Sequence, residues 1–193
     1  MYFFQPALLT LCTLMAAGGT LFQITRKRRL CFAALFLLTL CASAIGEGIW
    51  ENFTVFPAAV VLMLGTMVMT RGHWERILLS GLFGGVAAWK LADMFPLFFE
   101  PALLGGLALS LFALLYCKRL EERFSACALG GIVYELCFCL QEYFLFTYCR
   151  IRLGSFGGLS ISAMSLCTVT VEYLLHTVLL ANKSEKQALF KTP

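Results

Sequence analysis

Six ionisable residues stand inside stretches otherwise built from apolar side chains: Lys90, Asp93, Glu135, Glu142, Glu172 and His176. Their spacing is helical. Lys90 and Asp93 are i, i+3, Glu172 and His176 are i, i+4, and Glu135 and Glu142 lie two turns apart on one face. Deep in a bilayer such a group costs about 2.5 to 3.5 kcal/mol on insertion scales, so it faces a bundle interior and finds a partner. Two chemistries follow. The first is an interhelical pin, with Lys90 as the cation between Asp93 on its own helix and Glu142 on another, fixing how the helices assemble. The second is a polar cavity for a solute or a proton, in which Glu135, Glu172 and His176 have no obvious cationic partner and the carboxylates are protonated or open to water.

No enzyme signature accompanies these charges, and the chain is expected not to be an enzyme. There is no HExxH and no Ser-centred elbow, and Gly154-Ser155-Phe156-Gly157-Gly158 lacks the strand-turn-helix setting that a phosphate-cradling loop needs. No cofactor-binding set emerges either. Nine cysteines would suggest a disulfide scaffold in a small secreted domain, but here they lie within or beside apolar runs, where a free thiol acts as a small hydrophobe. A metal site around Cys137 and Cys139 is not expected, because residues two apart on a helix point to different sides and no second Cys pair or nearby His completes a ligand set.

The elements that must carry the six charges follow from composition. Hydrophobic residues make up 60% of the 193 residues and charged ones 13%, with mean hydropathy +0.83, more apolar surface than one soluble core could hide. At roughly 20 residues per crossing, the chain has room for about seven transmembrane helices. The apolar runs are 3–23, 30–45, 53–70, 77–95, 101–117, 124–149 and 159–181, which predicts an all-α polytopic bundle over 1–181 and a short polar tail over 182–193. Transmembrane strands are disfavoured because the runs do not alternate.

Basic residues fall on alternate connections: Arg26 to Arg29, then Arg71 and Arg76, then Lys118, Arg119 and Arg123, then Lys183, Lys186 and Lys191. These are twelve of the fifteen Lys and Arg. The positive-inside rule then sets the C-terminus in the cytoplasm and the N-terminus outside. The first run follows no basic segment and reads as a retained helix instead of a signal peptide. The net charge of +4 is accounted for by cytoplasmic loops, so lipid and protein partners in the membrane are expected, nucleic acid is not, and any small-molecule substrate is left unidentified. On this topology Lys90, Asp93 and Glu142 fall in the outer half of the bilayer, and Glu135 and Glu172 near the midplane.

Glycine pairs recur at 18–19, 84–85, 105–106, 130–131 and 157–158, the pattern of close helix packing in lipid. A short echo links Gly84–Leu91, GGVAAWKL, with Gly130–Leu136, GGIVYEL, and chance in a glycine-rich chain suffices to explain it.

Two segments, FPLFFEPALLGGLALSLFALL from Phe95 to Leu115 and IRLGSFGGLSISAMSL from Ile151 to Leu166, resemble the YphA-like membrane proteins of spore-forming bacteria. The shared features are a Pro-flanked outer loop opening a Gly-rich helix and a basic-Leu-Gly turn leading into a small-residue helix. The resemblance implies a multi-pass protein linked to sporulation and carries over no catalytic residue. Two other classes stay open: substrate-binding subunits of vitamin transporters, and MreD-like scaffold subunits of cell-wall machinery. A transporter would depend on Glu135 and Glu172, a scaffold on its lipid-facing and loop surfaces.

Overall fold

Helices take up the apolar runs. The computed structural model describes residues 4–17, 25–44, 48–50, 53–70, 73–94, 101–146 and 151–189. Among them are seven helices: α1 (Phe4–Ala17), α2 (Arg26–Ser43), α3 (Pro57–Met69), α4 (Trp74–Met94), α5 (Pro101–Tyr116), α6 (Leu120–Phe146) and α7 (Phe156–Leu189). Three segments, Trp74–Met94, Leu120–Phe146 and Gly157–Leu179, are long and apolar enough to cross a membrane. Shorter apolar helices cover Gln5–Ala17, Pro57–Met69 and Ala102–Tyr116.

Several helices start earlier than hydropathy suggests. Arg26 to Arg29, expected in a loop, form the first turn of α2. Glu121, Glu122 and Arg123 lie in the first turn of α6, where the carboxylates meet the positive end of the helix dipole. Buried Glu122 also accepts from the Lys118 and Arg119 amides at 3.2 and 3.4 Å, reaching back to cap the helix start. At the other end of the chain α7 runs on through the segment expected to be a polar tail, to Leu189.

The architecture is not purely helical. Three short strands, β1 (Gly48–Trp50), β2 (Phe53–Val55) and β3 (Ile151–Leu153), form one sheet in that order. β1 and β2 are antiparallel, while β2 and β3 are parallel with Phe53 opposite Ile151 and Val55 opposite Leu153. Residues 53–55, read as the start of a membrane span, are thus strand. Pro57 then opens α3, in the helical position where its missing N–H costs nothing.

Gly154 turns the chain from β3 into α7 with φ of +77°, a left-handed conformation that only glycine adopts readily, and its α-carbon sits so close to Ala59 that a side chain would collide. This contact sets the start of α7 beside the start of α3. At the opposite end of α3, the Thr70 hydroxyl lies 3.0 Å from the Glu121 carbonyl and 2.6 Å from the Ser125 hydroxyl.

The helices pack in two groups. Phe124 of α6 meets Phe32 and Phe36 of α2 edge-on, at centroid distances of 5.3 and 5.9 Å, in the largest buried cluster. Helices α4 to α7 pack through glycine. A Cβ on Gly85 would stand 2.6 Å from the Gly130 carbonyl oxygen, one on Gly84 2.6 Å from Leu109, and one on Gly106 2.7 Å from Met164. The expected glycine seams at 84–85, 105–106 and 130–131 are therefore helix contacts. Gly84 and Gly130 both face Leu109 of α5, while Gly85 meets α6 and Gly131 meets α7. Gly18 and Gly19 lie outside the described residues.

Candidate functional site

The six charges form three separate groups and not one cluster. Lys90 and Asp93 are exposed on α4. The Lys90 ammonium lies 4.1 Å over the ring of its neighbour Trp89. Asp93 accepts from the Gln141 side-chain amide at 3.1 Å, and the Gln141 carbonyl accepts from the Trp89 indole at 2.8 Å. A neutral glutamine thus joins α4 to α6 where an ammonium was expected. The ion pairs between described residues, Arg28 with Glu121 and Arg123 with Glu172, include neither Lys90 nor Asp93. The pin built on Lys90 is corrected on that ground: its helix position turns the long side chain outward, along the groove between α4 and α6 lined by Cys137, Leu140 and Phe144.

Glu172 also departs from expectation. It holds a cation, Arg123 Nη1, at 2.9 Å, and Arg123 Nε donates in turn to the Cys117 carbonyl at 3.0 Å. The pair sits at the start of α6, twelve residues before Glu135, so Glu172 and Glu135 do not share a level. The depth expectation assumed that α7 begins at the membrane surface, whereas Gly158 is level with Glu135; fourteen residues later, at about 1.5 Å each, Glu172 has descended roughly 21 Å. His176, one turn further, is exposed.

Glu135 and Glu142 do share a face, and both line one cavity of about 160 Å³ with Tyr134, Phe138, Cys139, Ser155 and Gly157. Glu135 is only 4% exposed. Its Oε1 accepts a hydrogen bond from the backbone N–H of Gly158 at 2.6 Å and a short one from the Ser155 hydroxyl. Ser155 is at the same time the N-cap of α7: its Oγ accepts from the Gly157 N–H at 3.0 Å and its carbonyl from Leu159 N–H at 3.0 Å. Glu135 therefore occupies an anion site at a helix N-terminus, the one environment in a bundle that offers a buried carboxylate both oriented N–H donors and a favourable dipole.

The sequence reading of Gly154 to Gly158 is corrected here. Strand β3, the left-handed Gly154 and helix α7 supply the strand-turn-helix setting judged missing, and the anion it receives is Glu135 of the same chain. Glycine at 158 lets α6 approach, since a Cβ there would fall 2.6 Å from Glu135 Cγ and 2.7 Å from the Gly131 carbonyl. Sequence reasoning missed Ser155 and Gln141. The first was legible as a serine directly before a helical run, and the second as the amide neighbour of Glu142.

Cys139 is buried and lines the Glu135 cavity, while Cys137 lines the α4–α6 groove, so the two thiols point to different sides. No group of three or more metal-ligating side chains is assembled among the described residues. Along α6, Glu122 and Glu142 are twenty residues apart, about 30 Å, so polar groups bracket a length equal to the hydrocarbon core of a bilayer. Compared with known families, curated proteins and solved structures, the chain matches no family model, no curated protein and no solved structure.

Proposed function

We propose that this is a multi-pass protein of the bacterial cytoplasmic membrane, N-terminus outside and C-terminus inside, that binds a small cation or hydrogen-bond-donating solute in the Glu135 cavity. The observation that carries the reading is a carboxylate 4% exposed, held by two donors on Oε1, forming the wall of a cavity that a second carboxylate, Glu142, also lines. The rings of Tyr134 and Phe138 border the same space, and aromatic rings attract cations. At about 160 Å³, against about 30 Å³ for one water in the liquid, the cavity suits a solute of several heavy atoms. The test is uptake of small ammonium ions, or proton flux, by the purified protein in liposomes. Flux that Glu142→Gln abolishes while the fold persists supports the proposal; no flux from any of these solutes overturns it.

A second reading has its own observation. Gly158 N–H and the Ser155 hydroxyl converge on one oxygen of Glu135, which is how a purely structural clamp between α6 and the start of α7 would be made. It replaces Lys90 as the interhelical pin. The likeness of Phe95–Leu115 and Ile151–Leu166 to YphA-like proteins extends the proposal to sporulation, tested by spore counts after deletion. Orientation is tested by reporter fusions at Ala7 and after Lys191, which should report opposite compartments.

A further inference from the structure

The wall that α6 gives to the Glu135 cavity carries carboxylates at two levels and apolar surface between them. Glu135 and Glu142 are seven residues apart on one face, about 10.5 Å along the helix. Both side chains lean toward the helix N-terminus, so the offset between their backbones carries over to their carboxylates. Phe138 and Cys139 fall between the two levels and line the same space. The Tyr134 ring widens this apolar strip, with its centroid 5.2 Å from that of Phe138. One end of the span is fixed: Glu135 is 4% exposed, and its Oε1 is tied to the start of α7 by the Gly158 N–H and the Ser155 hydroxyl. Glu142, at the other end, is half-buried.

A lone ammonium meets one of these carboxylates and makes no use of the other. A cation with charge at both ends and methylenes between reproduces the whole pattern. With a charged hydrogen bond of about 2.8 Å at each end, the span leaves about 5 Å between the two nitrogens. An extended chain advances about 1.2 Å per bond, so about three or four carbons join them. Volume gives the same size independently: about 160 Å³, at about 30 Å³ for each water-sized group, holds about five heavy atoms. We infer that the cavity selects a short linear diammonium ion, with one ammonium on Glu135, the other on Glu142 and the methylenes against Phe138. Selectivity of this kind rests on the cation site proposed for the same cavity and names the class of its ligand.

The full chain, purified in detergent at about pH 7, where alkylamines are protonated as the lysine side chain is, is titrated calorimetrically with trimethylenediamine, propylamine and octamethylenediamine. A second charged hydrogen bond is worth at least about tenfold in affinity, so trimethylenediamine should bind at least about tenfold more tightly than propylamine. Octamethylenediamine, whose nitrogens stand about 11 Å apart when extended, overshoots the span and should bind no better than propylamine. In Glu142→Gln the advantage of trimethylenediamine over propylamine should disappear. Equal affinities for these two amines in the parent, or an advantage kept in folded Glu142→Gln, overturn the diammonium ligand and leave a site for single cations standing. Should Glu142→Gln not fold, octamethylenediamine binding to the parent as tightly as trimethylenediamine overturns it instead. Binding of none of the three removes the cation site itself, and its selectivity with it.

Discussion

Neighbouring glycines at the start of α7 should respond oppositely to the same substitution. In Gly158→Ala the new methyl would stand 2.6 Å from Glu135 Cγ and 2.7 Å from the Gly131 carbonyl oxygen. Ordinary contact begins near 3.4 Å, so α6 and α7 must part by about 0.7 Å or Glu135 must leave its place. Overpacking of this kind costs about 1 to 3 kcal/mol, and losing the charged hydrogen bond from Gly158 N–H costs about 1.5 to 3 kcal/mol. Alanine recovers about 1 kcal/mol of helix propensity. The terms share one displacement and do not simply add, which leaves a net loss of about 2 to 4 kcal/mol.

In Gly157→Ala the methyl meets the Ser155 hydroxyl at 3.3 Å and Glu135 Oε1 at 3.4 Å, close to ordinary contact, on an exposed position. That substitution should change stability by no more than about 1 kcal/mol, in the stabilising direction if propensity dominates. Reversible unfolding of the purified protein in mixed micelles compares the two directly. Equal effects, or a larger loss from Gly157→Ala, would show that the α6–α7 approach does not depend on the missing side chain at 158, and the account of how Glu135 is buried would fail with it.

Further outcomes follow from the other contacts. Gln141→Leu removes the bridge between Trp89 and Asp93 and should cost about 1 to 2 kcal/mol, whereas Lys90→Met, which loses an exposed cation–π contact, should cost about 0.5 to 1 kcal/mol; the reverse ranking in the same unfolding assay would restore Lys90 as the link between α4 and α6. A double-mutant cycle with Arg123→Met and Glu172→Gln should give a coupling of no more than about 1 kcal/mol, because the Glu172 side chain is 40% exposed. That coupling should shrink with added salt. A salt-independent coupling several times larger would place the pair in a desolvated interior.

The parts legible from sequence were those governed by local periodicity. A two-turn spacing necessarily puts Glu135 and Glu142 on one face, and paired glycines in apolar runs mark close helix approach wherever the runs are helical. Charges near helix ends were misread because an acidic or basic residue in a first turn looks, by composition, the same as one in a loop: Glu121 and Glu122 belong to α6 and Arg26 to Arg29 to α2. The strands escaped for another reason. Three residues are too few to display alternation, and the pairing of Phe53 with Ile151 is visible only once the chain is folded. From that miss came the error over Glu172, since β3 and Gly154 bring the start of α7 down to the level of Glu135, and every later residue of α7 moves with it.

Capping and binding by Glu135 are compatible, and Glu142 separates them. The donors on Oε1 hold the Glu135 carboxyl group in one place, the preorganisation a cation site requires. If its only task were to cap α7, added small ammonium ions would leave stability unchanged. If the cavity binds them, an ion at a hundred times its dissociation constant should stabilise the fold by about 2.7 kcal/mol. Glu135→Gln cannot decide the matter alone, because it weakens the cap and the site together. Ser155 and Glu135 make the α7 cap, so Glu142→Gln leaves that cap in place while removing the second carboxylate of the cavity. The expected result is a folded protein whose stability no longer rises with the ion. A rise in Glu142→Gln as large as in the parent would mean that the ion binds elsewhere, and Glu135 would then stand as a structural clamp alone.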